Sequence, residues 1–287
     1  MRRLTPTLMW AAAVLVTATL AAGCGHQAPK TEASPSERLV PAGTTTAAAE
    51  DVYGTMSVEY EDATTPQAQR GRQLLQDTRV LEGLAEAVTS SFRLPYDIPL
   101  VASQCDEAND YWDPDDKKVI MCYEDVDESL RIFDDGDHPD VNATARRMVV
   151  ASFYHELGHM AVDIYQLPAT GRQEDVADQL AAYELLAPDD DGTIDPDYVQ
   201  AAKDFATEWR IYAKRDGQPD KDALADPHTP NEARMYNILC WIYGSDPDSQ
   251  GAMITEEGLP QDRADRCETE WKTLSNAWSE LLAPHLK

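Results

Sequence analysis

Positive charge is scarce in this chain of 287 residues: 24 Lys and Arg stand against 52 Asp and Glu, a formal net charge of -28. So acidic a surface repels phosphate backbones and anionic headgroups. Nucleic acid and electrostatic membrane docking are therefore set aside, and a well-solvated surface is expected. Long apolar runs are lacking as well. The stretch from Leu8 to Leu20 falls short of the roughly 20 residues that a spanning helix requires. There is no C-x-x-C pair, which argues against a cysteine-built metal site. No internal repeat and no two-lobed α/β pattern is visible, so a repeat array and a solute-binding architecture are not expected.

What is present begins with an address. Arg2 and Arg3 precede the apolar run, and the small residues Ala21, Ala22 and Gly23 lead to Cys24. These three regions read as a signal peptide over residues 1–23. Ala21 to Cys24 resembles the lipobox of bacterial lipoproteins, although that motif prefers Leu where Ala21 stands. The resemblance implies lipidation of Cys24 and a membrane tie through that anchor alone; an ordinary cleaved signal would give a secreted protein instead. Residues 24–65 are rich in Ala, Thr, Pro, Ser and Glu and read as a flexible tether. The remainder, 66–287, is expected to form one domain.

Four cysteines remain beyond Cys24: Cys105, Cys122, Cys240 and Cys267. An even number in an exported chain points to two disulfides. Three pairings are open; neighbours in sequence, Cys105 with Cys122 and Cys240 with Cys267, make the simplest set.

Hydrophobic residues make up 43% of the chain, enough for a sizeable core. Leu74, Leu75, Val80, Leu81, Leu84 and Val88 recur at helical spacing, predicting one helix that ends near Phe92. Strands are expected over 98–103 and 118–123, antiparallel to each other, with a polar turn over 109–116. Helices follow near 126–133, 143–165 (capped by Asn142), 173–186, 197–214, 230–243 and 261–282. The fold class is α+β and helix-rich, with a small antiparallel sheet. The 118–123 strand offers an edge along which an extended peptide could pair. The aromatic stretches Tyr111-Trp112, Trp209 to Tyr212 and Trp241 to Tyr243 fit core positions rather than a glycan-binding surface.

The helix over 143–165 carries His155-Glu156-Leu157-Gly158-His159, the H-E-x-x-H pattern. Four residues are just over one helical turn, so both imidazoles leave one face about 6 Å apart along the axis. A zinc ion accepts both, and Glu156 reaches a water on the ion without ligating it. Met148, Val149, Phe153, Leu157 and Met160 around them mark a buried helix, where unpartnered polar groups are costly. A third protein ligand is needed. Glu174 and Asp178 lie one turn apart on the next helix, and either can supply it; the shorter reach of Asp178 favours Glu174. Their plain alternative is charge at a helix N-terminus.

The segment from His155 to Ala181 resembles a bacterial family of metallopeptidase-like domains. So do N-D-Y-W-D-P-D-D-K-K-V-I-M-C-Y-E (109–124) and N-I-L-C-W-I-Y-G-S-D-P (237–247). E-x-x-x-D at 174–178 is also similar to glutamate zincins. That likeness implies Glu174 as zinc ligand and Asp178 as the carboxylate behind a ligand histidine. A zinc peptidase acting on peptides or proteins outside the cytoplasm is thus expected, with Glu156 as base. His228, Arg234 and Tyr236 are candidate donors to its transition state. The competing readings are an inactive zinc-binding lipoprotein that serves as an interaction module, and a metal-dependent amidase of cell-wall material.

Overall fold

The computed structural model describes residues 52–134, 139–189, 192–255 and 258–287. The signal peptide, Cys24 and the tether up to residue 51 lie outside the described residues.

The chain opens with strand β1 (Met56–Tyr60), then helices α1 (Pro66–Thr78) and α2 (Val80–Ser91), then strands β2 (Ile98–Ser103), β3 (Asp110–Asp113) and β4 (Lys118–Cys122). Helices α3 (Tyr123–Ile132), α4 (Val141–Tyr165), α5 (Gln173–Leu186) and α6 (Pro196–Asp216) follow. The last are α7 (Lys221–Ala225), α8 (Asn231–Ser245), α9 (Pro247–Gln250) and α10 (Gln261–Leu282). The fold is α+β and helix-rich, as expected, and no helix among the described residues is long and apolar enough to cross a membrane.

The sheet is mixed rather than antiparallel. Its order is β1-β2-β4-β3, with β1 and β2 parallel, β2 and β4 parallel, and β3 antiparallel to β4. The cause is a strand inside the expected polar turn. Asp110 and Trp112 are buried while Tyr111 and Asp113 are half-exposed, the alternation of a half-buried strand. That extra pass reverses the chain once more, so β4 returns alongside β2 in the same direction. β4 is therefore interior, and its edge is not free for a peptide; β3 is the free edge on that side. β1 also corrects the domain boundary, since it pairs with β2 inside the stretch expected as tether.

The single helix expected up to Phe92 is two. Arg79 adopts a left-handed conformation (φ 52) and gives its N–H to the Leu75 carbonyl, ending α1 while the apolar spacing runs on into α2. Asp140, not Asn142, caps α4 by accepting from the Ala143 N–H. The two disulfides are Cys105–Cys122 and Cys240–Cys267. The first joins the end of β4 to the loop after β2, because Ser103 pairs with Cys122 in the parallel register.

Helix α4 runs through the middle of the core. Phe153, Leu157 and Met160 are fully buried on it, and it packs against α3, α5, α6 and β3. A helix enclosed on all sides is apolar all round, so the polar groups it carries at 155, 156 and 159 stand out.

Candidate metal centre

Gly158 sets the distance between α4 and α5. A Cβ there would lie 2.7 Å from the Ala177 Cα, closer than carbon atoms approach. Only a residue without a side chain lets the two helices touch at this level. That contact brings Glu174 and Asp178 of α5 beside the two histidines of α4.

His155 Nε2 and His159 Nε2 lie 3.2 Å apart. Glu174 Oε2 is 3.3 Å from the first and 3.5 Å from the second. Among the described residues these three form the one His/Cys/Asp/Glu group whose ligand atoms all fall within 4.8 Å of one another. Two imidazole nitrogens and a carboxylate oxygen are a donor set that fits a divalent ion such as zinc. Of the two carboxylates that the sequence left open, Glu174 is the one facing both Nε2 atoms. Asp178 stands behind His155, 2.8 Å from its Nδ1, where a carboxylate fixes tautomer and ring orientation.

Asp178 is itself held. Arg234 of α8 donates through Nε to Oδ2 at 2.7 Å and through Nη2 to Oδ1, and its guanidinium lies 3.5 Å from the Trp209 ring centre. Burial would raise the Asp178 pKa, but Arg234 and His155 outweigh it and hold the carboxyl below its usual range. For His155, burial opposes the charge; its hydrogen bonds to the Asp178 and Glu174 carboxylates prevail and push its pKa up to about 9. Glu174 is lowered, its desolvation being overcome by the same two histidines.

Glu156 is 5% exposed. Its Oε2 accepts the backbone N–H of Trp112 on β3 at 2.7 Å, and its Oε1 lies 4.0 Å from His155 Nε2. Burial raises its pKa, and His155 and His159 moderate the rise. The edge strand thus pins one oxygen of the glutamate and leaves the other toward the histidines.

Of the three expected transition-state donors, one is at the centre. His228 Nε2 is 3.5 Å from Glu174 Oε2, and its Nδ1 is 2.7 Å from Asp226 Oδ1. Arg234 borders the same cavity but spends its fork on Asp178. Tyr236 lines two other cavities, beside Ala213 and Gly217. Residues two apart on a helix point about 200° from each other, so Arg234 and Tyr236 cannot share a site.

The centre opens into a cavity of about 760 Å³. Trp112, Trp209 and Tyr212 line it, so two of the aromatic stretches expected in the core border the cavity as well. Asp110, Ser152, Asp163 and Glu208 also reach it, and sequence reasoning had singled out none of them. The role of the Trp112 backbone N–H had no signal in any side chain.

Two histidines one turn apart, a carboxylate from the next helix and a buried glutamate beside them define a metallopeptidase-like protein. The chain belongs to the family described as "Putative metallopeptidase", whose model matches residues 60–282. No curated protein and no solved structure matches it significantly. Such a family implies a metal ion and peptide or protein substrates.

Proposed function

We propose that this protein is a zinc-dependent peptidase acting outside the cytoplasm. The observation that carries the reading is the meeting of His155, His159 and Glu174 around one point, with Glu156 next to it. The ion, held by those three, would act as a Lewis acid on a water and on the scissile carbonyl. Glu156 accepts the water's proton through Oε1 and passes it to the leaving amine. The Trp112 backbone N–H holds Oε2, which would keep that carboxylate as a base rather than a ligand of the ion. His228 is placed to donate to the oxygen on which charge develops. An extended substrate is expected to lie beside β3, the free edge next to Glu156. Export is supported by the signal-like start of the chain, with Cys24 as lipidation site, and by the two disulfides.

The test is metal analysis of the purified full chain together with a peptide-library digest. One zinc per chain and chelator-sensitive cleavage are expected. Glu156→Gln should keep the zinc and lose hydrolysis; turnover equal to wild type in that variant would refute the assignment.

A further inference from the structure

Carboxylates around the cavity fall into two kinds. Glu174 faces histidines, and Asp163 is paired with Lys117 at 2.9 Å. Asp110, Asp125 and Glu208, which also line it, have no Lys, Arg or His nitrogen within 4 Å among the described residues. Glu208 is 7% exposed; one oxygen lies 3.4 Å from the Tyr212 hydroxyl, a long contact for an O–H donor, and the other has no partner among the described residues. The Asp125 carboxylate accepts no hydrogen bond from any described residue. Asp110 is satisfied by the Cys122 N–H at 2.7 Å and the Ser152 hydroxyl at 2.6 Å, yet its charge is not balanced. Arg234 acts on Glu208 from beyond contact distance, but its fork belongs to Asp178.

Asp110 and Glu208 are buried and Asp125 is half-buried, and acids taken out of water without a counter-charge are costly. Burial, the largest cause for each, pushes Asp110 and Glu208 well above the usual carboxylate range and Asp125 up to about 7; the Asp125 charge adds to the rise of the other two, and Glu128 and Glu156 add to that of Asp125. A positive ligand would relieve that cost. It is not a second metal: among the described residues only the His155 group brings its ligand atoms within 4.8 Å of one another. Acids spaced more widely suit a larger cation that spreads its donors. Phe205, Trp209 and Tyr212 complete that wall and offer apolar surface to an aliphatic stem; Arg234 already lies over the Trp209 ring and Arg215 over that of Tyr212.

We propose that Asp110, Asp125 and Glu208 form a subsite for an organic cation of the substrate, a guanidinium or alkylammonium group. It is carried either by an Arg or Lys side chain or by a free peptide N-terminus. As a specificity pocket it rests on the peptidase reading; as a binding site it stands apart from turnover.

The experiment is calorimetric titration of the full chain with three small probes. N-acetyl-argininamide carries the guanidinium alone, citrullinamide the α-ammonium alone, and N-acetyl-citrullinamide neither. One or both cationic probes should bind at least about tenfold tighter than the neutral one, the scale of a charge-assisted hydrogen bond. Which one binds identifies the source. The double variant Asp125→Asn, Glu208→Gln should lose that preference while keeping wild-type circular dichroism and zinc content. If the double variant does not fold, Asp125→Asn alone should reduce the preference. Equal binding of all three probes, absence of binding by all three, or a preference unchanged in a folded variant overturns the proposal. Zinc content and peptide hydrolysis are measured in parallel. A chain that prefers the cations but holds no zinc retires the peptidase reading and leaves the subsite standing.

Discussion

Arg234 and Asp178 are 56 positions apart in sequence and form a two-pronged ion pair. Both side chains are nearly inaccessible, at 5% and 3% exposure. The pair lies behind the candidate metal ligand His155, because Asp178 Oδ1 also meets His155 Nδ1, on the far side of the ring from Nε2. Removing Arg234 leaves a buried carboxylate facing an imidazole alone. Arg234→Met is expected to cost about 3–5 kcal/mol of stability, read in a denaturant titration. Asp178→Asn should instead weaken zinc binding by about 10–100-fold, read by competition with a chromogenic chelator. Wild-type zinc affinity in Asp178→Asn would mean that the aspartate does not orient His155.

Gly158 supplies a second test, of geometry rather than charge. Gly158→Ala places a methyl group 2.7 Å from the Ala177 Cα, and backbone cannot yield as a side chain would. Overpacking of this kind costs about 1–3 kcal/mol. Because α5 carries Glu174, the same displacement should weaken zinc binding. Loss of stability with unaltered zinc affinity would show that Glu174 does not depend on this helix contact.

Much of this arrangement was legible in advance where a periodic signal exists. α5 and α10 begin and end where the apolar spacing and flanking Pro and Gly residues placed them. His155, His159 and Glu174 follow from spacing on two successive helices. The misses share a cause: they depend on what surrounds a residue, not on its position in a pattern. Asp110–Asp113 reads as a turn because two of its four residues are aspartates, and its strand character comes from pairing with β4. Arg79 breaks a helix in a left-handed conformation that its side chain does not advertise. Arg234 reads as a free donor until Asp178, on another helix, takes both its prongs. Glu208 shows no sign of its place in the cavity, since α6 reads as an ordinary amphipathic helix.

The charge on His155 makes metal uptake depend on pH. Without metal its pKa is raised to about 9, so near neutral pH a proton occupies the site and must leave when zinc binds. Zinc affinity should therefore rise with pH, by about tenfold per unit, and level off as pH passes about 9. For the metal-free protein the sign is opposite. A raised histidine pKa contributes stability below the unfolded value near 6.5, and that contribution is lost as pH rises through about 9. Calorimetry in buffers of different ionisation enthalpy measures the released proton; zinc affinity independent of pH between 6 and about 9 would contradict this account.

Glu184 provides a pH effect away from the metal. It lies half-buried on α5, and no hydrogen bond or ion pair reaches its carboxylate among the described residues. Burial alone raises its pKa from 4.5 to about 7. As pH rises from 4.5 to about 7, the unfolded chain releases this proton first and the folded chain retains it. The folded state then binds more protons, so stability falls across that window and levels off above it. Glu184→Gln removes the titration while keeping the shape. The variant should match wild type near pH 4 and exceed it by about 1–2 kcal/mol at pH 8, read from urea unfolding at both pH values. An advantage of equal size at the two pH values would trace the effect to packing rather than to ionisation.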